Sequence, residues 1–231
     1  MASSTAARSR RPQSTINSDD AFAVRAAEAA AWAKRNARMI ITIAAVALVT
    51  VGGYLVYRVN AAGKAARAAE QFLALRANPT VATAAGAGQV EAFIKAHAGT
   101  MEADEARLLL AEIRLNSGNA KAAVTALAPL AGSDSRLAAQ AAMMLGSAHA
   151  QAGDRAAAIR AYQQAADKAD ADYQRVEALA QAALMHEQNN DFAGAVAIYE
   201  RLLADAKEGS QQAQVIEMRL AEARSRAGAK P

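Results

Sequence analysis

Hydrophobic residues form one uninterrupted segment near the N-terminus and recur at helical spacing in the rest of the chain. The segment from Met39 to Tyr57 contains no charged side chain and is bounded by Arg38 and Arg58. At about 1.5 Å of rise per residue it would extend about 28 Å, close to the hydrocarbon thickness of a bilayer. We therefore predict a transmembrane helix that anchors the protein. A buried core helix is usually shorter and polar on one side, and a cleaved signal peptide has a shorter tail and apolar core.

The segments on either side of this span are predicted to be helical as well. Ser18 is a suitable N-cap, and the alanine-rich sequence after it runs into the span without Gly or Pro. Beyond the span the helix should continue to about Ala77, where Asn78-Pro79 stops it. The predicted units are a disordered tail (1–17), a juxtamembrane helix (18–38), the transmembrane helix (39–57), an irregular opening helix pair (58–100) with a loop at 80–88 and a short helix at 89–97, a repeat region (104–209), and a capping helix with its tail (210–231).

A repeated pattern of turn, small and large residues defines the C-terminal region. Its copies start 35 and then 37 residues apart, and a small residue (Ala111, Gly146 or Ala183) precedes each turn by seven positions. Small residues let two antiparallel helices approach closely, and the large residue fills the groove beneath the next pair. The three copies are Gly118-Asn119-x-x-x-Ala123-x-x-x-Leu127, Gly153-Asp154-x-x-x-Ala158-x-x-x-Tyr162 and Asn190-Asp191-x-x-x-Ala195-x-x-x-Tyr199.

This layout resembles the tetratricopeptide repeat, whose period is about 34 residues. It predicts an all-α fold in which one N-terminal transmembrane helix is followed by a tetratricopeptide-like α-solenoid of antiparallel helix pairs. The alternative is an alanine-rich helical bundle, but the turn and large positions do not depend on alanine. The first copy departs from the pattern with Arg107 and Arg114 at positions that are normally apolar. In the closing helix, Val215, Met218 and Leu220 are expected to face the stack.

Charge is separated along the chain. The part before the span has 7 basic and 3 acidic residues, whereas the rest has 19 of each. A nucleic-acid-binding function is not indicated, because it would need basic residues clustered on the folded domain. Three basic residues lie within five positions of the span on its N-terminal side and only Arg58 does so on the other, which favours a cytoplasmic N-terminus. In a bacterium this orientation gives a single-pass inner-membrane protein with its repeats in the periplasm.

No pattern of residues indicates catalysis, a cofactor or a metal site. The chain has no cysteine, which excludes disulfides, thiol catalysis and cysteine-linked lipid anchors. His149 and His186 occupy equivalent positions of successive repeats, on the order of 10 Å apart, which is too far to ligate one ion. We expect them to pack within the helix pairs, and we expect a protein that is not an enzyme.

The first helix of each pair is expected to line the concave face of the solenoid. Leucine, methionine and glutamine there would form an adaptable, mildly apolar groove for polypeptide segments, and Glu105 and Glu177 would be exposed on the same face. The alternative is that Leu108 and Met143 belong to the core. The candidate groove residues are Leu108, Leu109, Glu112, Leu115, Gln140, Met143, Met144, Ser147, Gln181, Leu184 and Gln188.

Three further stretches resemble the YfgM-like family of bacterial inner-membrane proteins. They are Asp19-Asp20-Ala21-Phe22 with Trp32-Ala33 before the span, Gln71-Phe72-Leu73-Ala74-Leu75 after it, and His97-Ala98-Gly99-Thr100 before the first repeat. The resemblance covers roughly residues 19–226. It implies an ancillary role at the Sec translocon, where the protein would meet translocon subunits, emerging polypeptides and a periplasmic chaperone or prolyl isomerase.

Two other functions stay open. One is an envelope-assembly or cell-division scaffold, and the other is an organellar receptor with its repeats in the cytosol. Small residues in the span, such as Ala44 and Gly52, leave homo-oligomerisation as a weak suggestion, because no Gly-x-x-x-Gly spacing occurs.

Overall fold

The computed structural model describes residues 18–228, and within this range all helices are α-helices except for one 3-10 turn, with no strand. The predicted disorder of residues 1–17 and the predicted cap by the Ser18 side chain lie outside what the structure describes. The all-α fold is confirmed. The helices are α1 (Ser18–Arg35), α2 (Ala37–Ala77), α3 (Ala87–Ala96), α4 (Met101–Asn116), α5 (Ala120–Ala131), α6 (Ala138–Gln151), α7 (Arg155–Lys168), α8 (Asp172–Gln188), α9 (Phe192–Asp205) and α10 (Gln211–Gly228).

The chain divides into two compact units, Met1–Asn60 and Ala61–Pro231. In the first unit, the predicted continuous helix into the span is interrupted between α1 and α2. Asn36 forms the break: its backbone N–H donates to the Trp32 carbonyl at 3.0 Å, and its side-chain amide donates to the same oxygen at 2.9 Å. A short side chain that bonds to the neighbouring backbone in this way competes with regular helix geometry.

The apolar segment of α2 is a candidate membrane span. Every residue from Met39 to Tyr57 is exposed, so this helix is not the buried core helix of the alternative interpretation. Its two threonines satisfy their hydroxyls within the helix, since Thr42 donates to the Arg38 carbonyl and Thr50 to that of Val46, both at 2.8 Å. A helix with its polar groups bonded internally suits a medium that offers no hydrogen bonds.

In the second unit, consecutive helices pack in antiparallel pairs, and the turn within each pair follows the repeat. Gly118, Gly153 and Asn190 have positive φ angles of 73°, 83° and 57°, the conformation that ends a helix and that Gly and Asn tolerate. The next residue in each copy then caps the second helix with its side-chain oxygen. Asn119 accepts from the Ala122 N–H at 3.3 Å, Asp154 from the Ala157 N–H at 2.9 Å and Asp191 from the Gly194 N–H at 3.0 Å.

The small and large positions of the repeat form the main core. The small residues that precede the turns and those of the second helices are buried without exception. The large residues Leu127, Tyr162 and Tyr199 are 0%, 4% and 7% exposed. Gly146 is needed for close approach, because a Cβ there would lie 2.6 Å from two ring carbons of Tyr162. The tetratricopeptide-like solenoid is thus built as the spacing predicts.

The opening segment has its own core cluster, in which Phe72 of α2 and Phe93 of α3 pack with ring centroids 5.4 Å apart. The predicted loop at 80–88 is more ordered than expected, because it contains a 3-10 turn over Ala84–Gly86 and buries Val81. Helix α3 starts two residues earlier than predicted and ends one earlier. Arg114, the unusual charge of the first copy, is explained by an ion pair with Glu91 of α3 at 2.6 Å.

The expected packing of α10 is partly wrong. Its buried stripe consists of Ala213, Ile216, Leu220 and Ala223, whereas Val215 and Met218 are 49% and 62% exposed. Each residue advances about 100° around a helix, so Val215 and Met218 lie well off a stripe that passes through Ile216 and Leu220.

Candidate protein-binding surface

The candidate groove lies on the first helices of the pairs, and the same register continues onto α10. Helix α10 packs on α9 as α8 packs on α7, and Ala221 precedes Gly228 by seven residues, as each small residue precedes its turn. Four positions per helix therefore correspond, and we call them the inner face. They are Glu105, Leu108, Leu109 and Glu112 on α4; Gln140, Met143, Met144 and Ser147 on α6; Glu177, Ala180, Gln181 and Leu184 on α8; and Val215, Met218, Arg219 and Glu222 on α10.

The larger of two hollows on this face lies between α8 and α10 and is floored by α9. It has a volume of about 610 Å³ and includes Gln181 and Leu184 of the predicted groove. Its walls include the aliphatic residues Val176, Val215 and Ile216, and its floor is formed by Tyr199 and Leu202. Mostly apolar walls with a few polar groups are typical of sites that bind side chains of a partner.

The smaller hollow, of about 190 Å³, lies between α6 and α8. It includes Gln140 and Met143 of the predicted groove together with Tyr173 and Glu177. Tyr173 is 70% exposed and presents its ring at the start of α8. Helix α8 thus forms a ridge with one hollow on each side.

The other predicted groove residues have different surroundings. Leu108, Leu115 and Met144 are half-buried against the main core, and Leu109 packs against the opening core cluster instead. The Ser147 hydroxyl lies 3.1 Å from that of Tyr162. Glu112 and Gln188 are exposed and line neither hollow. Met143 is half-buried, so it both packs against the core and lines the smaller hollow.

Three exposed apolar residues were not predicted to belong to this surface: Tyr173, which was not named, and Val215 and Met218, which were predicted to face the stack. Tyr173 lies one helical turn before Glu177, the first inner-face position of α8. The other two follow from the spacing between Ala221 and Gly228, which extends the repeat register by one helix. Applied to α10, that register would have placed Val215 and Met218 on the inner face.

Polar groups at the edge of the larger hollow interact through a hydrogen bond and a salt bridge. The Tyr199 hydroxyl donates to Glu187 at 3.1 Å, and the Arg219 guanidinium lies 3.9 Å from the same carboxylate. Burial, reinforced by the Glu187 carboxylate, raises the pKa of Tyr199 to about 12. The phenol therefore remains a neutral donor throughout the physiological range.

His186, the histidine of the third repeat, contacts the residue that caps the following helix. The His186 Nδ1 lies 2.8 Å from the capping carboxylate of Asp191, and Gly194 makes this possible because a Cβ there would collide with the imidazole. The second repeat has Ala157 at the position of Gly194. The Gly194 N–H and then His186 hold the pKa of Asp191 below its usual range. This histidine thus stabilises a turn.

Within residues 18–228 no three His, Asp or Glu side chains come together in an arrangement that could hold a metal ion. The geometry on this face consists of apolar hollows, exposed aromatic and aliphatic side chains, and carboxylates. Such a surface is suited to contact with another polypeptide.

Comparison with known proteins points the same way. The model of a tetratricopeptide repeat-like domain family matches residues 30–136, from the end of α1 through α5. No curated protein matches the chain significantly. The match includes the candidate membrane span and the first helix pair, so the chain contains a tetratricopeptide repeat-like domain. Domains of this kind are protein–protein interaction scaffolds and are typically not enzymes.

Proposed function

We propose that this protein is a membrane-tethered scaffold whose inner face binds polypeptide segments at the Sec translocon. The single observation that carries the binding role is the row of exposed apolar residues on the inner face and beside it. Leu184, Val215 and Met218 are 37%, 49% and 62% exposed, whereas the aliphatic residues Ile198, Leu202, Ile216 and Leu220 of α9 and α10 are buried. Side chains left exposed beside a hollow favour association with a partner that covers them.

The translocon role rests on the resemblance to the YfgM-like family and on the proposed topology. In this topology the N-terminus lies in the cytoplasm, α2 crosses the inner membrane and the helix pairs lie in the periplasm. The partners would be translocon subunits, emerging polypeptides, and a periplasmic chaperone or prolyl isomerase. The basic residues before the span support this orientation.

Site-specific photocrosslinking in intact cells tests both the surface and the partners. A photoreactive residue at Leu184 or Val215 should crosslink to translocon subunits, a periplasmic chaperone or polypeptides in transit. The matched control is Gln163, an exposed residue of the second helix α7, which should give none of these products. Equal crosslinking from Gln163, or no product from the inner face, would contradict the assignment of the surface.

The nature of the products decides between the proposed role and its alternatives. Recovery of peptidoglycan-associated or cell-division proteins instead would favour an envelope-assembly scaffold. Protease digestion of spheroplasts tests the topology: the helix pairs should be degraded from outside, whereas protection would place them in the cytoplasm and refute the proposed orientation.

A further inference from the structure

The inner face carries carboxylates that form no salt bridge with the described residues of the domain. Glu105 and Glu112 on α4 and Glu177 on α8 have no salt bridge to any residue in the described part of the chain. Arg219, the cation at an inner-face position of α10, lies 3.9 Å from Glu187 and 3.9 Å from Glu222. It is therefore already balanced by its neighbours.

This negative charge is local and does not reflect the composition of the domain. Residues 61–231 contain 18 basic and 19 acidic residues, a difference of one. The second helices, on the other side of each pair, carry Lys121, Arg155, Arg160, Lys168 and Arg201 against Asp167, Glu200 and Asp205. The first helices α4, α6 and α8 carry 7 acidic and 3 basic residues, and Glu177 among them lines the smaller hollow. Acidic groups are thus concentrated on the first helices, and basic groups are enriched on the second helices.

A partner with both positive charge and apolar side chains complements this surface. Carboxylates with no internal partner can form charge-assisted hydrogen bonds with Lys or Arg, and they repel an acidic segment. Met143 and Tyr173, which line the smaller hollow between α6 and α8, then supply apolar contacts between Glu105 and Glu177, and Leu184 and Val215 supply further contacts beyond Glu177. Charge complementarity determines which segments associate with the inner face, and the apolar hollows slow their dissociation.

The spacing of the carboxylates constrains the partner further. Glu105 and Glu177 occupy the same position two repeats apart, on the order of 20 Å at about 10 Å per packed helix. An extended chain covers this distance in about six residues.

We propose that the inner face binds an extended polypeptide segment with Lys or Arg residues about six positions apart and apolar residues between them. The proposal rests on the polypeptide-binding function proposed above and specifies the class of segment that is bound.

Fluorescence anisotropy with the full-length protein in mild detergent tests this specificity. Three labelled peptides share one apolar sequence and carry, about six positions apart, two Arg, two Gln or two Glu. We expect the Arg peptide to bind roughly ten-fold more tightly than the Gln peptide, and the Glu peptide more weakly than both. Raising the salt concentration from about 50 to 300 mM should reduce the preference for Arg, because exposed charges are screened.

Paired substitutions test whether Glu105 and Glu177 cause the preference for the Arg peptide. Glu105→Gln with Glu177→Gln should remove most of the preference for the Arg peptide over the Gln peptide. The matched control, Asp167→Asn with Glu208→Gln, removes two exposed carboxylates away from the inner face and should leave the preference intact.

The outcomes separate this inference from the proposed function. Equal binding of the Arg and Gln peptides, tighter binding of the Glu peptide, or an equal loss in the control variant would overturn the charge specificity while leaving polypeptide binding in place. Absence of binding by all three peptides, together with absence of inner-face crosslinks in cells, would refute the proposed function itself.

Discussion

Replacing Gly146 by alanine tests how tightly the helices of a pair are packed. The new Cβ would lie 2.6 Å from Cδ1 and Cε1 of Tyr162 and 2.8 Å from its Cζ. The ring is 4% exposed, and its hydroxyl lies 3.1 Å from the Ser147 hydroxyl. The ring cannot yield without losing buried contacts and this hydrogen bond.

Two opposing effects determine how much Gly146→Ala changes the free energy of unfolding. An overpacked core position costs about 1–3 kcal/mol, whereas alanine gains about 1 kcal/mol over glycine within a helix. We expect Gly146→Ala to lower the free energy of unfolding by about 1 kcal/mol. The third repeat has Ala183 at this position, and there the Tyr199 hydroxyl donates to Glu187, four residues further along, instead of to the residue next to the small one.

The first repeat suggests the compensating change, since Ala111 and Leu127 occupy the same two positions there. Tyr162→Leu alone should destabilise the protein by about 1–3 kcal/mol, because it removes part of a buried ring. Combined with Gly146→Ala it should cost less than the sum of the two, with a coupling of about 1–2 kcal/mol.

Urea denaturation of the full-length protein in mild detergent, followed by circular dichroism at 222 nm, measures these differences. The matched control is Gly88→Ala, a helical glycine of α3 with nothing within 4 Å of the added Cβ. It should be neutral or stabilising. The packing argument fails if Gly146→Ala stabilises as much as Gly88→Ala, or if the effects in the double variant are additive.

Two further substitutions are predicted to act elsewhere in the domain. Gly86→Ala should cost more than Gly146→Ala, about 3 kcal/mol in the same titration, because its Cβ would collide with the rigid backbone of Val81; a loss below that of Gly146→Ala would refute this. Asp191→Asn should destabilise the domain at pH 7. The lowered pKa of Asp191 favours the charged, folded state above about pH 4, so the difference from wild type should vanish as the pH falls toward about 2. A difference that is independent of pH would show that the charge beside His186 contributes nothing.

Local rules account for what was predicted correctly. A positive φ angle after a helix demands Gly or Asn, and the following helix needs a side-chain acceptor, so Gly118-Asn119 and its copies specify their turns wherever they occur. The end of α2 at Ala77 likewise follows from Asn78-Pro79, because proline cannot continue a helix.

The candidate surface could be predicted only in part. Gln140, Met143, Gln181 and Leu184 line the two hollows, but Leu108 and its neighbour Leu109 pack against different core clusters. That division depends on the irregular opening segment, whose packing no repeat describes.

The sequence by itself determined the candidate membrane span, the helical class, the turns and the small and large positions of the pairs, because each depends on residues within one or two helical turns. Tertiary structure decided which apolar residues remain exposed. Val215 and Met218 are hydrophobic like Ile216 and Leu220, and the packing of α10 on α9 buries only the latter two. It also decided that His186 contacts Asp191, because Gly194 leaves space for the imidazole across the turn.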